Sequence, residues 1–227
     1  MAGRDSPILE PMTDGDIEYL KSLIENRILF SPVLELGAGY GPKTAKAIIE
    51  NAALEYRSTD IDVHVPVDVV ADFEADDIFE FFDRERLFGS VLVCNVLEHV
   101  FDPNKVLSNA LRLVRPRGSL VTVTPCMWPI HDFPCDYQRI LPSWYDEFAG
   151  RSNCVLRREF FLFIGRGTVD SFRNNRGDYE LPRAGRNAFH SLFSRLIHKV
   201  FNTYGRGMWA AGWLAIGAVF FKEPGEL

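Results

Sequence analysis

A carboxylate followed by three alternating glycines is the part of this sequence best suited to chemistry. The pattern consists, in order, of Glu35, Gly37, Ala38, Gly39, Tyr40 and Gly41. Glycines at alternate positions adopt backbone conformations closed to other residues, and they let a ligand lie against the main chain. A carboxylate at such a turn attracts a positively charged ligand and repels a pyrophosphate. The pattern therefore predicts a binding site for a cationic ligand at the end of a strand.

A second carboxylate indicates that this ligand contains a ribose. Asp60 lies 19 residues beyond Gly41, at the end of the second predicted strand. A carboxylate placed there can accept both hydroxyls of a ribose, as it does in NAD sites. The dinucleotide fingerprint requires another small residue where this chain has Pro42, and it has no acid in the turn. We therefore expect an adenosine-type cofactor contacted by Asp60 and the adjacent Ile61; Asp60 alone does not choose the cofactor, and Glu35 and Pro42 argue against NAD.

Alternating apolar strand and helix patterns place these residues at one edge of a sheet. The spacing predicts an α/β fold with a doubly wound, Rossmann-like mixed sheet of seven strands, in which ligands bind outside the carboxyl ends of the strands. The predicted strands are residues 33 to 36, 55 to 59, 67 to 70, 91 to 94, 120 to 123, 155 to 164 and 215 to 221. The predicted helices begin near Thr13, Pro42, Asp102, Ser143 and Phe189.

Composition and length predict a single domain. The chain has 227 residues and is 47% hydrophobic, which suffices for one substantial core. We expect a helical cap in residues 1 to 30, a cofactor-binding core in residues 31 to 150, and C-terminal strands in residues 151 to 227. An amphipathic helix at residues 187 to 203 forms a helical insertion in this last part. It would serve as a core helix, an interface or a membrane-surface helix.

Cysteine usage and the N-terminal sequence point to the cytoplasm. The four cysteines show no CxxC spacing, which favours free thiols in a reducing compartment. The first residues lack the basic and apolar regions of a secretory signal. Residues 208 to 221 carry no charge, but they are too few to span a bilayer as a helix. A cytoplasmic protein without a transmembrane segment is the prediction.

The charge is distributed unevenly along the chain. Residues 1 to 150 contain 13 basic and 25 acidic side chains, whereas residues 151 to 227 contain 12 basic and 6 acidic side chains. An acidic first part suits a cationic cofactor, and a basic C-terminal part could attract an anionic acceptor or a lipid surface. A solvated basic face without a partner is the alternative. The net acidity argues against nucleic-acid binding.

Residues 33 to 142 resemble the small bacterial class I S-adenosylmethionine (SAM) methyltransferases. The resemblance rests on the glycine pattern, Asp60, and residues 71 to 74, 95 to 100, 112 to 118, 124 and 125. Residues 128 to 139 are similar to a segment of a subgroup associated with surface-polysaccharide and other glycan biosynthesis. Two departures are Arg117, where the family often has glycine, and the absence of the usual Gly-Phe opening of strand six.

The resemblance implies roles for the matching residues. The glycine turn would contact the methionine end of the cofactor, Asp60 the ribose, and Asp72 and Phe73 the adenine. The turn after strand four would lie beneath the cofactor, through Asn95 and Val96. SAM would be the cofactor and S-adenosylhomocysteine the product.

The acceptor side contains the candidates for catalysis. A hydroxyl acceptor needs a general base, and histidine titrates near neutrality, so His99 and His131 are the candidate bases. Asp136, Tyr137 and Arg139 follow His131 in the loop after strand five, and we predict that they contact the acceptor. Ubiquinone-pathway O-methyltransferases have Glu-x-x-Glu-His at the turn where this chain has Asn95-x-x-Glu98-His99. One carboxylate ligand is thus missing, and we predict no metal.

The sequence thus predicts a SAM-dependent methyltransferase that acts on a hydroxyl of a small-molecule or glycan-type acceptor, which could be anionic. Two alternatives remain open. One is an NAD-dependent oxidoreductase, and the other is a non-catalytic SAM-binding or membrane-associated partner protein. The oligomeric state does not follow from the sequence.

Overall fold

The computed structural model describes residues 12 to 40, 44 to 128, 135 to 165, 168 to 171 and 214 to 224. Within these ranges the helices are α1 (Asp14–Glu25), α2 (Thr44–Asn51), α3 (Pro103–Leu113) and α4 (Pro142–Arg151). The strands are β1 (Val33–Leu36), β2 (Tyr56–Asp60), β3 (Val69–Val70), β4 (Phe88–Cys94), β5 (Val114–Met127), β6 (Cys154–Leu156), β7 (Leu162–Gly165), β8 (Thr168–Ser171) and β9 (Leu214–Lys222). The predicted helix at residues 187 to 203 lies outside the described residues.

All the described strands belong to one mixed sheet. Their order is β3-β2-β1-β4-β5-β9-β7-β8, and β6 also pairs with β9. The first five strands in this order are parallel, whereas β9 is antiparallel to β5, β6 and β7. The order reverses between β1 and β4, which is the switch point where doubly wound sheets bind ligands. The predicted doubly wound α/β fold is confirmed.

The sheet contains more strands than the seven predicted. The predicted sixth strand is split into β6 and β7 by a 3₁₀ turn at Arg158–Phe160. The charged residues Arg157, Arg158 and Glu159 interrupt the apolar pattern there, and a buried strand cannot hold them without a cost in desolvation. The short strand β8 then pairs with β7 at the edge of the sheet.

Helix boundaries follow local capping chemistry. The side chain of Asp102 accepts a hydrogen bond from the Lys105 N–H at 3.0 Å, and Pro103 occupies the first turn of α3, as predicted. The start of α4 differs from the prediction because Ser143 does not cap it. Pro142 begins this helix, and no side chain caps it. A proline loses nothing at this position, since its missing N–H would have no partner in the helix.

Helix α1 covers the sheet on the side of α2. Thr13 and Asp16 form a capping box at its start, with the Asp16 Oδ2 accepting the Thr13 N–H at 2.8 Å. Tyr19 is completely buried, and its hydroxyl donates a hydrogen bond to the Phe160 carbonyl at 2.6 Å. Its ring lies over Gly217 of β9, where an added Cβ would come within 2.6 Å of the Tyr19 Cζ. The glycine therefore lets α1 pack directly on the sheet.

Replacing Gly217 with alanine tests this packing. We expect Gly217→Ala to lower the free energy of unfolding by about 1 to 3 kcal/mol, because the new methyl group overpacks the Tyr19 contact. Gly150→Ala is the matched control, since its added Cβ would meet no atom within 4 Å. This control should be neutral or stabilising by less than about 1 kcal/mol, as alanine favours a helix. Urea unfolding measures both variants, and equal effects would contradict the packing described.

Candidate functional site

The turn after β1 forms one wall of the candidate site. Gly37 has φ = 67° and Gly39 has φ = 59°, both in the left-handed region that favours glycine. A Cβ on Gly37 would lie 2.5 Å from the Cγ2 of Val96, so the turns that follow β1 and β4 are in close contact. The third glycine of the pattern, Gly41, lies outside the described residues.

Asp60 is held in place by backbone hydrogen bonds. Its Oδ2 accepts the Gly39 N–H at 2.9 Å, and its Oδ1 accepts the Asp62 N–H at 3.0 Å. The Ala38 N–H donates to the Thr59 carbonyl at 3.1 Å, which ties the turn to β2. Because each carboxylate oxygen has a second lone pair, Asp60 can still accept hydrogen bonds from a ribose. The structure thus brings the glycine turn and Asp60 together.

Exposed side chains border this carboxylate. The Tyr40 side chain is 60% exposed, and its hydroxyl donates to the Asp62 Oδ2 at 2.9 Å. Ile61, next to Asp60, is 65% exposed. Val96, in the turn after β4, is partly buried. An exposed apolar residue beside a fixed carboxylate provides a surface on which a planar base can pack.

Glu35 lies further inside the sheet than the glycine turn. It is the third residue of β1, and its carboxylate accepts a hydrogen bond from the Tyr56 hydroxyl of β2. Burial and the negative charge of Glu35 raise the pKa of Tyr56 well above its usual range. Glu35 therefore contributes negative charge beneath the turn and has a neutral protein partner.

The structure separates the two predicted adenine contacts. Asp72 is half-buried, and its Oδ1 accepts the Glu74 N–H at 2.7 Å. Phe73 is 6% exposed, and its ring packs edge-on against Phe82 in the core, with 5.9 Å between centroids. The Phe73 ring therefore lies in the core, and the contact of Phe73 with the adenine stays a prediction. Phe73 anchors the loop after β3, because the Asn109 side chain donates to its carbonyl at 2.9 Å.

Asn95 occupies the carboxyl end of β4 in an unusual conformation. Its φ is 54°, which asparagine tolerates better than most residues. Its N–H donates to the Val123 carbonyl at 2.7 Å. Its side chain hydrogen-bonds with Asp16 of α1, a contact that lowers the pKa of Asp16 against the raising effect of burial. Strain of this kind is often found at binding sites.

The His99 ring contacts both the segment after β5 and its own turn after β4. Its Nδ1 lies 2.5 Å from the Cys135 carbonyl oxygen, and its Nε2 lies 3.7 Å from the Glu98 Oε1. A ring nitrogen that contacts a carbonyl oxygen carries a proton, so Nδ1 donates this hydrogen bond. Both nitrogens therefore face protein groups, and His99 links the β4 turn to the segment after β5. The other predicted base, His131, lies outside the described residues.

Glu98 is the residue of this turn whose importance the sequence analysis missed. It is 1% exposed, and neither carboxyl oxygen has a well-formed hydrogen bond among the described residues. Burial raises its pKa to about 7, against the lowering effects of its own backbone N–H and Arg139. The apolar residues Val96 and Leu97 that directly precede it are the sequence signal that could have indicated burial.

The predicted acceptor residues do not all face a cleft. The side chain of Asp136 is 2% exposed and holds the guanidinium of Arg139 in a two-pronged ion pair. These two residues therefore stabilise the segment after β5, and their contact with the acceptor stays a prediction. Tyr137 is 55% exposed and packs at a right angle against Phe101, which is 79% exposed. This aromatic pair is the exposed part of the predicted group.

The described arginines of the C-terminal part lie away from this edge. Arg151, Arg157 and Arg158 flank α4 and β6, which pairs with β9 beside the start of β5. They form ion pairs with Glu147, Glu159 and Asp146, respectively. The anionic acceptor predicted from basic residues therefore receives no support from these three.

The described ranges contain no cluster of three or more His, Cys, Asp or Glu side chains suited to a metal ion. No helix among these residues has the length and apolar character needed to cross a membrane.

Burial of Glu98 predicts a pH-dependent cost in stability. Its pKa rises from about 4.5 in the unfolded chain to about 7 in the fold. The contribution of the protonated carboxyl to the free energy of unfolding is therefore complete below pH 4.5 and is lost as the pH rises through 7. At pH 8, Glu98→Gln should therefore unfold with a free energy up to about 3 kcal/mol higher than the parent protein. At pH 4.5 the two should be similar.

Denaturant titrations at both pH values measure this difference without any ligand. Glu159→Gln is the control, because Arg157 lowers the pKa of this exposed carboxyl and its removal should bring no gain at pH 8. A Glu98→Gln variant that is no more stable than the parent at pH 8 would contradict the description of Glu98.

Comparison with known proteins identifies the family. A family model described as a methyltransferase domain matches residues 17–161. No curated protein matches the chain.

Several solved structures share the fold. A SAM dependent methyltransferase from Archaeoglobus fulgidus is 14% identical, with a TM-score of 0.50 over 91% of this chain and 94% of that chain. The YcgJ protein from Bacillus subtilis is 14% identical, with a TM-score of 0.54 over 92% and 99% of the two chains. The [4+2]-cyclase SpnF is 15% identical, with a TM-score of 0.55 over 99% and 85%. The matched family model and this shared fold agree with the glycine turn and the fixed Asp60, and the chain belongs to the methyltransferase-domain family, with the class I fold of SAM-dependent methyltransferases.

Proposed function

We propose that this protein transfers a methyl group from SAM to a hydroxyl of a small-molecule or glycan-type acceptor. The observation that carries the proposal is the hydrogen bond from the Gly39 N–H of the glycine turn to the Asp60 carboxylate, at the switch point of the sheet. SAM supplies an electrophilic methyl group on a positively charged sulfur. The acidic residues at this edge of the sheet suit that charge.

The residues present fit the parts of the cofactor. Asp60 is fixed where it can accept both ribose hydroxyls, and the backbone of Gly37 and Gly39 can lie against the methionine end. Ile61 and Val96 offer apolar surfaces for the adenine, and Asp72 lies at the adjacent loop end. A pyrophosphate would meet the negative charge of Glu35, which argues against NAD.

The acceptor would bind between the β4 turn and the segment after β5. The protein's main contribution there is to align the acceptor with the methyl group and to exclude water. Tyr137 and Phe101 provide an exposed aromatic surface at this place. Arg139 is already neutralised by Asp136, so the described residues favour an uncharged acceptor over an anionic one.

Calorimetric titration with S-adenosylhomocysteine tests the cofactor site. We expect micromolar binding of S-adenosylhomocysteine and no binding of NAD. Gly39→Arg should abolish binding, because its backbone and side chain would occupy the turn beside Asp60. Gly150→Arg is the matched control, since this helical glycine has open space around its Cα and should leave binding unchanged.

Binding of NAD instead of S-adenosylhomocysteine by a folded sample would overturn the proposal in favour of an oxidoreductase. Binding of neither compound would favour a non-catalytic protein of the same fold. The hydroxyl acceptor has its own test, in which deuterated methyl groups from SAM are followed by mass spectrometry into nucleotide sugars and glycans. Transfer confined to amine-bearing compounds would contradict O-methylation.

A further inference from the structure

Glu98 is a buried acid whose environment calls for a positive partner. It follows the carboxyl end of β4, lies 1% exposed, and lacks a well-formed hydrogen bond at either carboxyl oxygen among the described residues. Burying a charged carboxylate without a partner is costly, so such a group is either neutral or paired with a cation. The cofactor contacts proposed above leave this carboxyl unexplained.

The surrounding groups do not supply that cation. The ionisable groups facing Glu98 come from every element around it: Asp16 of α1, Cys94 of β4, His99 of the same turn, Asp136 and Arg139 after β5, and Tyr145 of α4. Arg139 is held by Asp136, while Asp16 is a second buried acid. His99 is 3.7 Å from Glu98, beyond hydrogen-bond distance. A cation that enters from outside would therefore lower the energy of an ionised Glu98.

SAM has two cationic groups, a sulfonium and an ammonium group, and the position of Glu98 favours the sulfonium as its partner. For an in-line displacement the methyl group would face the acceptor, so the sulfonium would lie toward the gap between the β4 turn and the segment after β5. The main chain of Glu98 borders this gap, because its carbonyl accepts the Tyr137 N–H at 2.8 Å, and its side chain is buried beneath the same turn. The cofactor's ammonium group, by contrast, belongs at the glycine turn, where Glu35 already provides negative charge.

We propose that Glu98 is a proton-linked counter-ion, neutral in the empty protein and ionised when the sulfonium of SAM binds. This inference rests on the proposed function. The raised pKa of Glu98, about 7, agrees with it, since the carboxyl is then about half protonated at neutral pH. A positive charge nearby lowers the pKa of a carboxyl and drives its proton into solvent.

The charge of Glu98 would follow the charge of the cofactor through the reaction. In the transfer step, the bond between carbon and sulfur would break as the bond between carbon and the acceptor oxygen forms, and the sulfur would lose its charge. The acceptor hydroxyl would release its proton to solvent, and Glu98, which has lost its cationic partner, would take up a proton again. Atoms and charges balance, and no further reactant is needed. S-adenosylhomocysteine then has no charge at sulfur for Glu98 to hold, which favours its release over that of SAM.

Proton release during cofactor binding tests the proposal without an acceptor. Titration of the whole protein with SAM at pH 7, in buffers of different ionisation enthalpy, gives the number of protons exchanged. We expect about half a proton released for each SAM bound and none for S-adenosylhomocysteine. The ratio of the two affinities should rise about tenfold in favour of SAM from pH 6 to pH 8 and level off above.

Two variants test whether the proton released on SAM binding comes from Glu98. Glu98→Gln should abolish proton release and the pH dependence of the affinity ratio while S-adenosylhomocysteine still binds. Asp16→Asn is the matched control at the neighbouring buried acid, and proton release should persist in it.

Equal proton release with SAM and S-adenosylhomocysteine would overturn the inference and assign the linkage to the ammonium group. Release that survives in Glu98→Gln would also overturn it, and so would SAM binding without release. Failure of both compounds to bind would instead overturn the proposed function. The comparison of the two compounds uses the parent protein, so it stands even where a variant does not fold.

Discussion

The contact between Gly37 and Val96 is the constraint on which the site depends. The adjacent parallel strands β1 and β4 flank the switch point, and the turns that follow them approach so closely that a single added Cβ on Gly37 would lie 2.5 Å from Val96. This approach brings Asn95 and Glu98 to the same edge as the glycine turn and Asp60. Because a packed interior deforms little, moving either turn would disturb both of them.

Charge is the second feature that organises the molecule. The carboxyl edge holds buried acids with few free cations among the described residues, whereas the described C-terminal arginines pair with carboxylates near the opposite edge. An acidic edge binds a cationic ligand more tightly than the same ligand after that positive charge has been lost. The buried carboxyl of Glu98, which has no hydrogen-bond partner among the described residues, is a specific residue for this general preference.

The sequence predicted the parts of this structure that depend on local chemistry. Alternating glycines, the acid after β2 and the Asp102-Pro103 cap each have a short-range cause, and the structure has the corresponding turn, carboxylate and helix start. The burial of Phe73 and Asp136 does not follow from the sequence pattern, because it depends on contacts with Phe82 and Arg139 that form only when the loop after β3 and the segment after β5 have folded. The burial of the Glu98 carboxyl does not follow from the sequence pattern either, since it arises when α1, α4 and β5 pack around one turn.

A crystal structure with bound S-adenosylhomocysteine tests the central claim most directly. The account predicts that both ribose hydroxyls lie within hydrogen-bond distance of the Asp60 carboxylate, with the adenine between Ile61 and Val96. It further predicts that the thioether sulfur lies on the Glu98 side of Asn95. Density for the ligand at another edge of the sheet, or a ribose that meets no carboxylate at the end of β2, would contradict it.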